Sequence, residues 1–399
     1  MPICDRVLEI AAEVADWRRH LHQIPELQFD LPETAAFVEQ KLRVIGCDEI
    51  VTGIAQTGIV AILHGRHGPG PTIGLRADMD ALPTQEQSGV VHTSRSPNRM
   101  HACGHDGHTA MLLGAAKYLA ETRNFAGSVA LIFQPAEEGG GGGRVMIAEG
   151  IIERFNIAQV FAVHNIPGIP LGQFAIRPGP IMAGGARFSI TVNGRGGHAA
   201  LPHETIDPVI VAAQIISALQ TIASRSVDPI DTVAVSVTKI NGGTAFNVIP
   251  DSVELGGTVR ALQVHVATLA EKRIRDICAG LAAASGATVD VDYRQIYPPT
   301  VNNPQEAMFA ADAAAAIVGE CNVARATPPL MAAEDFSFML EALPGAFMFL
   351  GNGPSAGLHS PNYDFNDNAI PFGIGYFTSL VERALRPTML ATSPVSASL

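Results

Sequence analysis

Residues 100–110 read MHACGHDGHTA, and they gather three histidines, a cysteine and an aspartate directly ahead of the apolar run MLLGAAKYLAE. The run predicts a helix from about Thr109 to Glu121, with Cys103 and His105 on the loop that precedes it. A row of solvated histidines would do nothing for stability, so the stretch indicates chemistry. It is typical of either a metal site or a thiol catalytic site at the entrance of a helix.

The segments on either side of this stretch alternate between strands and helices. GIVAILHG (58–65) and TIGLRADM (72–79) precede it as short strands bounded by glycines, and GSVALIFQPAEE (127–138) and VFAVHNIP (160–167) follow it. The nearly continuous apolar runs are typical of strands that are buried on both faces. The alternation predicts an α/β fold in which a layered sheet is flanked by helices.

Residues 184–295 follow a different pattern. A strand is followed by a helix, two strands, a second helix and a last strand, with Asp207 and Gly286 as helix-capping residues. The order βαββαβ is that of the split βαβ, or ferredoxin-like, unit. Because 399 residues exceed one ordinary core, we predict that 184–295 form a small domain inserted into a larger one made of 1–183 and 296–399.

The composition argues against several classes of partner. The formal net charge is −12 and no cluster of Lys and Arg is longer than WRR, so we expect no nucleic acid and no anionic membrane surface. No apolar run reaches the roughly 18 residues of a membrane span, and the N-terminus lacks the basic region of a secretory signal. The five scattered cysteines argue against a disulfide framework and predict a reducing compartment, the cytoplasm.

Ligand-type residues recur where the predicted strands end. Glu137 and Glu138 follow the strand VALIF, His164 ends the strand FAVH, and His359 lies in GLHSPNYDF. Ligands gather at strand ends in α/β sheets. Together with the cysteine and histidine of HACGHD, these residues offer a thiolate, imidazoles and a carboxylate, which suit zinc, manganese, cobalt or nickel. Five ligands are too many for one open ion, so the set predicts two divalent metal ions per chain.

The adjacent pair Glu137 and Glu138 suggests a division of roles. Neighbouring residues of an extended chain point to different sides, so one carboxylate can bind metal while the other acts as general base. The five glycines that follow, residues 139–143, are not succeeded by Lys-Ser or Lys-Thr, which argues against a phosphate loop. Instead, glycines let the backbone pass close to a site without a clash at Cβ.

With these positions assembled, the chain resembles the two-metal aminoacylase/carboxypeptidase amidohydrolases, in the branch of hippurate hydrolases, N-acyl-L-amino-acid amidohydrolases and indole-acetyl-amino-acid hydrolases. The resemblance is carried, in order, by WRRHLHQIPEL, GLRADMDALP, MHACGHDGH, FQPAEEGGGG, VHNIPGIPLG, GRGGHAALPHETIDP, NVIPDSVELGGTVR, AAEDFSF and LHSPNYDFND. It implies a zinc-exopeptidase-like catalytic domain, with a mixed sheet flanked by helices, and an inserted βαββαβ domain that serves as lid and dimerisation domain. It also implies a small-molecule N-acyl amino acid substrate and a homodimer, or a homotetramer, through the lid.

The resemblance further implies roles for individual residues. The positions that match the metal ligands of the family are Cys103, His105, Glu138, His164 and His359. Glu137 matches the general base, and His198 matches a lid histidine that polarises the scissile carbonyl and in relatives often comes from the partner subunit. Asn247 and Arg260 match lid residues that contact the substrate carboxylate, for which the fork of an arginine is suited.

One stretch departs from the wider family, whose distant members carry a metal-binding histidine in a His-x-Asp motif. The corresponding residues are Arg76 and Asp78, so Cys103 supplies the missing ligand and Asp78 is expected to orient a ligand. Glu334 and Asp335 are expected either to orient ligands too or to form a surface turn.

Other interpretations stay open. Cys103 could be the nucleophile of a cysteine hydrolase with His105 or His108 as base, or the scaffold could bind metal or ligand without catalysis. For His101 and His108 the sequence does not decide between ligand, helix start and orienting residue. We expect His22 on a helix face or cap, and His92 at the surface.

Overall fold

The computed structural model describes residues 3–387. Its α-helices are α1 (Asp5–Gln23), α2 (Pro32–Ile45), α3 (His105–Thr122), α4 (Gly142–Ala148), α5 (Ile151–Phe155), α6 (Pro208–Leu219), α7 (Val264–Ser285), α8 (Pro304–Val318), α9 (Ser337–Ala342) and α10 (Ile370–Ala384). Its strands are β1 (Glu49–Ile54), β2 (Gly58–His64), β3 (Thr72–Asp78), β4 (Ser128–Gln134), β5 (Ile157–Pro167), β6 (Phe174–Ala175), β7 (Gly179–Met182), β8 (Gly184–Asn193), β9 (Gly197–His198), β10 (Val233–Asn241), β11 (Val248–Ile249), β12 (Ser252–Ala261), β13 (Thr288–Tyr297), β14 (Thr300–Asn302), β15 (Val323–Ala324) and β16 (Gly345–Gly353).

The chain divides into two compact units. Within the described residues, the first comprises 3–176, Glu306–Arg325 and 343–387, and the second comprises Arg177–Gln305 and Ala326–Ala342. The assignment of residues 184–295 to a lid domain stays a prediction. Among the helices of residues 3–387, none combines the length and the apolar content needed to cross a membrane.

The first unit is built on an eight-stranded mixed sheet in the order β1-β2-β4-β3-β5-β16-β6-β15. The four central strands β4, β3, β5 and β16 run parallel, whereas β1, β2 and β6 each pair antiparallel with a neighbour. Helices α1 and α10 pack against α3, which also packs on the sheet. The predicted α/β fold with a mixed sheet flanked by helices is therefore confirmed.

Helix α3 begins earlier than the sequence predicted. Its first residue is His105 instead of Thr109, so His105 lies in the first helical turn and not on the preceding loop. Gly107 caused the error, because a glycine in this position would normally weaken a helix. A Cβ at Gly107 would lie 2.3 Å from the ring of Phe365, so packing is the reason for this glycine. Every residue of α3 from His105 to Ala116 is buried.

The second unit contains a four-stranded antiparallel sheet in the order β10-β12-β8-β13, against which α6 and α7 pack. The chain order β8-α6-β10-β12-α7-β13 is the predicted βαββαβ order. Asp207 caps α6 by accepting a hydrogen bond of 2.9 Å from the backbone N–H of Val209. Gly286 ends α7 in the left-handed conformation, at φ 77°. The unit has a hydrophobic core of its own.

Candidate metal centre

Four parallel strands each carry or precede a predicted site residue. Asp78 is the last residue of β3, the pair Glu137 and Glu138 follows β4, and His359 follows β16. His164 lies within β5, which continues to Pro167, so it does not end its strand as predicted. Because neighbouring parallel strands end at the same edge of a sheet, these side chains converge there.

The turn before α3 brings two further ligand-type residues to this edge. Cys103 and His105 flank Gly104, whose φ of 91° lies in the left-handed region that glycine adopts without strain. A Cβ at Gly104 would lie 2.2 Å from the side-chain oxygen of Asn165. The glycine therefore allows both the turn itself and its close approach to β5.

A first group of donor atoms is formed by Cys103, His105 and His164, whose ligand atoms all lie within 4.8 Å of one another. The Cys103 Sγ is 3.5 Å from Nε2 of His164. His164 donates from Nδ1 to the backbone oxygen of Asn165 at 2.7 Å, and His105 donates from Nδ1 to that of Asp80 at 2.8 Å. Both imidazoles are thus oriented so that Nε2 is available to a metal ion.

A second group shares Cys103 with the first and adds Glu138 and His359, again with all ligand atoms within 4.8 Å. Nε2 of His359 lies 3.2 Å from a carboxylate oxygen of Glu138. His359 is exposed and adopts a left-handed backbone conformation, at φ 65°. Glu137 lies beside this group, since its carboxylate is within 4.8 Å of the ligand atoms of His105 and Glu138.

The electrostatics of these residues fit divalent cations. Burial raises the pKa of the Cys103 thiol and lowers that of His164 well below its ordinary value. Hydrogen bonds with Cys103 and Glu138 raise the pKa of His359 to about 10. The Nε2 of His105 is buried without a hydrogen-bond partner. A buried thiol, a carboxylate and an unpartnered imidazole nitrogen form a donor set that a divalent cation would complete.

Asp78 and His108 lie behind these ligands. Burial alone would raise the pKa of Asp78, but His105, Arg76 and His108 outweigh it and hold that pKa well below its ordinary value. Nδ1 of His108 lies 2.6 Å from Asp78, and its Nε2 accepts a hydrogen bond of 3.1 Å from the backbone N–H of Asn165. Because both nitrogens of His108 are engaged, the structure favours an orienting residue over a ligand.

Sequence reasoning missed Asp80. Its two carboxylate oxygens accept hydrogen bonds from the backbone N–H groups of Glu137 and Glu138, at 2.9 and 3.0 Å. One buried aspartate thus fixes the turn that carries both glutamates, and its backbone oxygen orients His105. The motif DMD at the end of β3 contained the signal, because it places a second carboxylate two residues after Asp78.

The structure decides one open alternative and corrects one expectation about individual residues. Glu334 and Asp335 are buried, so the surface-turn alternative is excluded. His22 lies in the last turn of α1, as expected, and it is fully buried there, 2.8 Å from Asp106. His92 is mostly buried, with its Nε2 at 2.8 Å from a guanidinium nitrogen of Arg18.

His101, which the sequence left open, is buried with neither ring nitrogen in a hydrogen bond. Burial lowers its pKa to about 3, so the ring is neutral. Among the described residues it belongs to none of the groups of converging ligand atoms.

Three of the predicted site residues lie in the second unit. His198 is the last residue of β9 and is exposed. β9 pairs with β11, and directly before β11 the backbone oxygen of Asn247 accepts a hydrogen bond of 3.0 Å from the backbone N–H of Ala199. Arg260 is half-buried near the end of β12. Burial is the main cause that lowers the pKa of Arg260, and the neighbouring Arg187 lowers it further. An anion would therefore be stabilised beside Arg260.

The chain is similar to proteins of known class over nearly its whole length. Residues 74–383 match the model of peptidase family M20/M25/M40. A hippurate hydrolase of Campylobacter jejuni is 41% identical over 97% of this chain and 100% of its own length, and an IAA-amino acid hydrolase of Arabidopsis thaliana is 41% identical over 93% and 86%. The crystal structure of a dinuclear metal binding peptidase of the M20 family from Bacillus subtilis superposes with a TM-score of 0.84 at 33% identity, covering 96% of this chain and 100% of that one.

Proposed function

The chain belongs to peptidase family M20/M25/M40 and is a metal-dependent amidohydrolase, and we propose that it cleaves the amide bond of N-acyl L-amino acids to a carboxylic acid and a free amino acid. The proposal rests chiefly on one observation. Cys103 belongs to two groups of converging ligand atoms, one with His105 and His164 and the other with Glu138 and His359. Such an arrangement suits two ions that share a ligand.

The residues that would hold the two divalent ions are Cys103, His105, Glu138, His164 and His359. When bound, the ions supply Lewis acidity to the attacking water and to the substrate carbonyl. The protein itself contributes the orientation of this set. Asp80 and Asn165 each accept a hydrogen bond from a ligand imidazole, and Asp78 faces His105 from 3.7 Å.

Glu137 acts as the general base. Its carboxylate lies beside the ligand atoms, and its backbone is held by Asp80. The Glu137 carboxylate takes a proton from the attacking water and returns it to the leaving amine as the amide bond breaks. One side chain thus carries the proton from the attacking water to the leaving amine.

The second unit contributes substrate contacts. His198 polarises the scissile carbonyl through its ring, which is exposed and therefore accessible. Asn247 and Arg260 bind the carboxylate of the amino acid. The lowered pKa of Arg260 supports this role, because a half-buried guanidinium next to Arg187 is stabilised by an incoming anion.

Further features complete the proposal. The ions are zinc, manganese, nickel or cobalt, the metals whose preferences match a thiolate, imidazoles and a carboxylate. Residues 184–295 form the lid through which a homodimer, or a homotetramer, assembles. All five cysteines are unpaired, which fits the reducing environment of the cytoplasm.

The test combines metal content with turnover. Protein purified without chelator is analysed by mass spectrometry for bound metals. In parallel, it is assayed on N-benzoyl, N-acetyl and N-indole-acetyl amino acids before chelation, after chelation, and after addition of each candidate metal. We expect about two ions per chain and turnover that is lost on chelation and restored by one of the metals.

Other results would support rival functions. Metal-free protein with chelator-insensitive turnover would point to Cys103 as a nucleophile, although burial raises the pKa of that thiol, the opposite of what an activated cysteine needs. Two bound ions without turnover on any acyl amino acid would indicate a protein that only binds metal or ligand.

A further inference from the structure

A second group of buried charges meets the first turn of α3. Its centre is Arg18 of α1, which is fully buried. Arg18 donates from Nε to Asp106 at 2.8 Å, from Nη2 to Asp364 at 2.6 Å and from Nη1 to Asp367 at 3.4 Å. The residues of this group, called the Arg18 cluster below, are Arg18, His22, Glu86, Asp106, Asp364 and Asp367.

Two of the carboxylates that Arg18 contacts belong to segments that carry ligands of the metal centre. Asp106 directly follows His105 in the first turn of α3. Asp364 lies in the segment after His359. The backbone N–H of His359 itself donates to the backbone oxygen of Ala102 at 2.7 Å. One guanidinium therefore joins the segment of His105 to the segment of His359.

The segment of His164 is attached to the same place. Asn165, the residue after His164, donates from its side-chain nitrogen to the hydroxyl of Tyr363. Tyr363 precedes Asp364 and is fully buried. Arg18 therefore contacts the place where the segments of His105, His164 and His359 meet.

We propose that Arg18 is a positioning residue of the metal centre, which holds the segments of His105 and His359 at the separation that the two ions require. This inference rests on the proposed function, because it needs the two ions to bind. Arg18 touches none of the five ligand side chains. Its effect on the ions passes through Asp106 and Asp364.

The chemistry of the side chain explains why an arginine stands here. Three nitrogens of one rigid, planar guanidinium each contact a different carboxylate. The ammonium of a lysine is a single point charge on a flexible stem and cannot span these positions. Without the guanidinium, the buried Asp106 would keep His22 as its cation but would lose its link to Asp364.

The experiment measures ion affinity directly. Arg18→Lys and wild type are stripped of metal and titrated with zinc against a chromogenic chelator, which yields a dissociation constant for each of the two ions. We expect both constants to rise by roughly 10- to 100-fold in the variant, the usual effect of losing a residue that orients ligands. The visible spectrum of the cobalt-substituted protein should change as well, since it reports ligand geometry.

A control arginine lies at the other end of α3, the helix whose first turn contains Asp106. Arg123 follows α3 and contacts Asp48, the backbone oxygen of His64 and the backbone oxygen of Gly46. Arg123→Lys should lower the free energy of unfolding of the metal-free protein without changing either dissociation constant. Asp364→Asn, at a side chain that is one-third exposed, serves as a milder variant should Arg18→Lys fail to fold. It should weaken mainly the ion held by His359.

The outcomes separate the two proposals. If wild type binds no zinc, the proposed function itself fails. If wild type binds two ions and Arg18→Lys or Asp364→Asn binds them with unchanged constants and an unchanged cobalt spectrum, Arg18 has only a structural role and the inference is overturned. Higher dissociation constants in these variants, with unchanged constants in Arg123→Lys, support the inference.

Discussion

Two groups of buried charges lie next to each other in the first unit, and they are neutralised in different ways. In the metal centre, Cys103 and Glu138 face imidazoles, among them His359, whose pKa their hydrogen bonds raise to about 10. In the Arg18 cluster, the chain supplies its own cation, since Arg18 and His22 face Asp106 and Glu86. Adjacent residues of α3, His105 and Asp106, point one into each group. A buried anionic group thus needs a cation. In the Arg18 cluster that cation is a guanidinium, which stays charged, whereas the imidazoles of the metal centre can lose their protons and bind metal ions instead.

The largest expected effect concerns the metal centre, where replacing Glu137 should reduce turnover. Glu137→Gln keeps the shape of the side chain but removes the base, so kcat should fall by roughly 10²- to 10⁴-fold on an N-acyl amino acid that wild type cleaves. Metal content, measured on the same preparation, should stay at the wild-type value. Turnover that survives the substitution would refute the assignment of the base.

The next largest effect should come from Asp80. In Asp80→Asn an amide NH₂ would face a backbone N–H of Glu137 or Glu138, so the turn that carries both glutamates would shift. We expect kcat to fall by roughly 10- to 100-fold. Asp48→Asn is the control. Asp48 also accepts a hydrogen bond from a backbone N–H, that of His64, but it belongs neither to the metal centre nor to the Arg18 cluster. Equal losses in both variants would contradict a specific role of Asp80.

The two groups should respond to pH in opposite directions. Protons compete with metal ions for thiolate and imidazole, so the metal centre should lose its ions as the pH falls. In the Arg18 cluster, burial alone would lower the pKa of His22, but hydrogen bonds to Asp106 and Glu86 outweigh it and raise the pKa to about 9. The stability that His22 contributes is therefore fully present below its unfolded pKa of about 6.5 and is lost as the pH rises through about 9.

This loss is measured by chemical unfolding of the metal-free protein between about pH 6 and about pH 9.5. That range includes both the unfolded and the folded pKa of His22. The free energy of unfolding should decline by at most about 1.4 kcal/mol per pH unit. His22→Gln should be less stable at pH 6 and should decline less steeply. A variant whose curve runs parallel to that of wild type would show that His22 is not the titrating group.

Sequence reasoning succeeded where local patterns carry the information. Apolar runs bounded by glycine predicted β2 and β3, and the split βαβ order predicted the topology of the second unit. The convergence of ligand-type residues followed from one rule about strand ends, although His164 lies within its strand. The resemblance to a known family then named individual ligands, bases and lid residues, whose roles stay predictions.

Sequence reasoning could not reveal features that depend on residues far apart in the chain. His22 meets Asp106 across 84 positions of the chain and Glu86 across 64, and no periodicity of α1 reveals such partners. Gly107 concealed the start of α3 because its reason, the ring of Phe365, lies far along the sequence. The same holds for Asp80, whose partners are backbone groups of a turn that follows another strand.

The pairing of β5 with β16 also has a consequence for synthesis on the ribosome. His164 pairs with Phe349, and the whole antiparallel sheet of the second unit is encoded between them. At roughly 5 to 20 residues per second, the nascent chain exposes one edge of β5 for about 10 to 40 seconds before its neighbour emerges. An unpaired apolar edge can pair with another chain, so the newborn protein is open to aggregation during this interval.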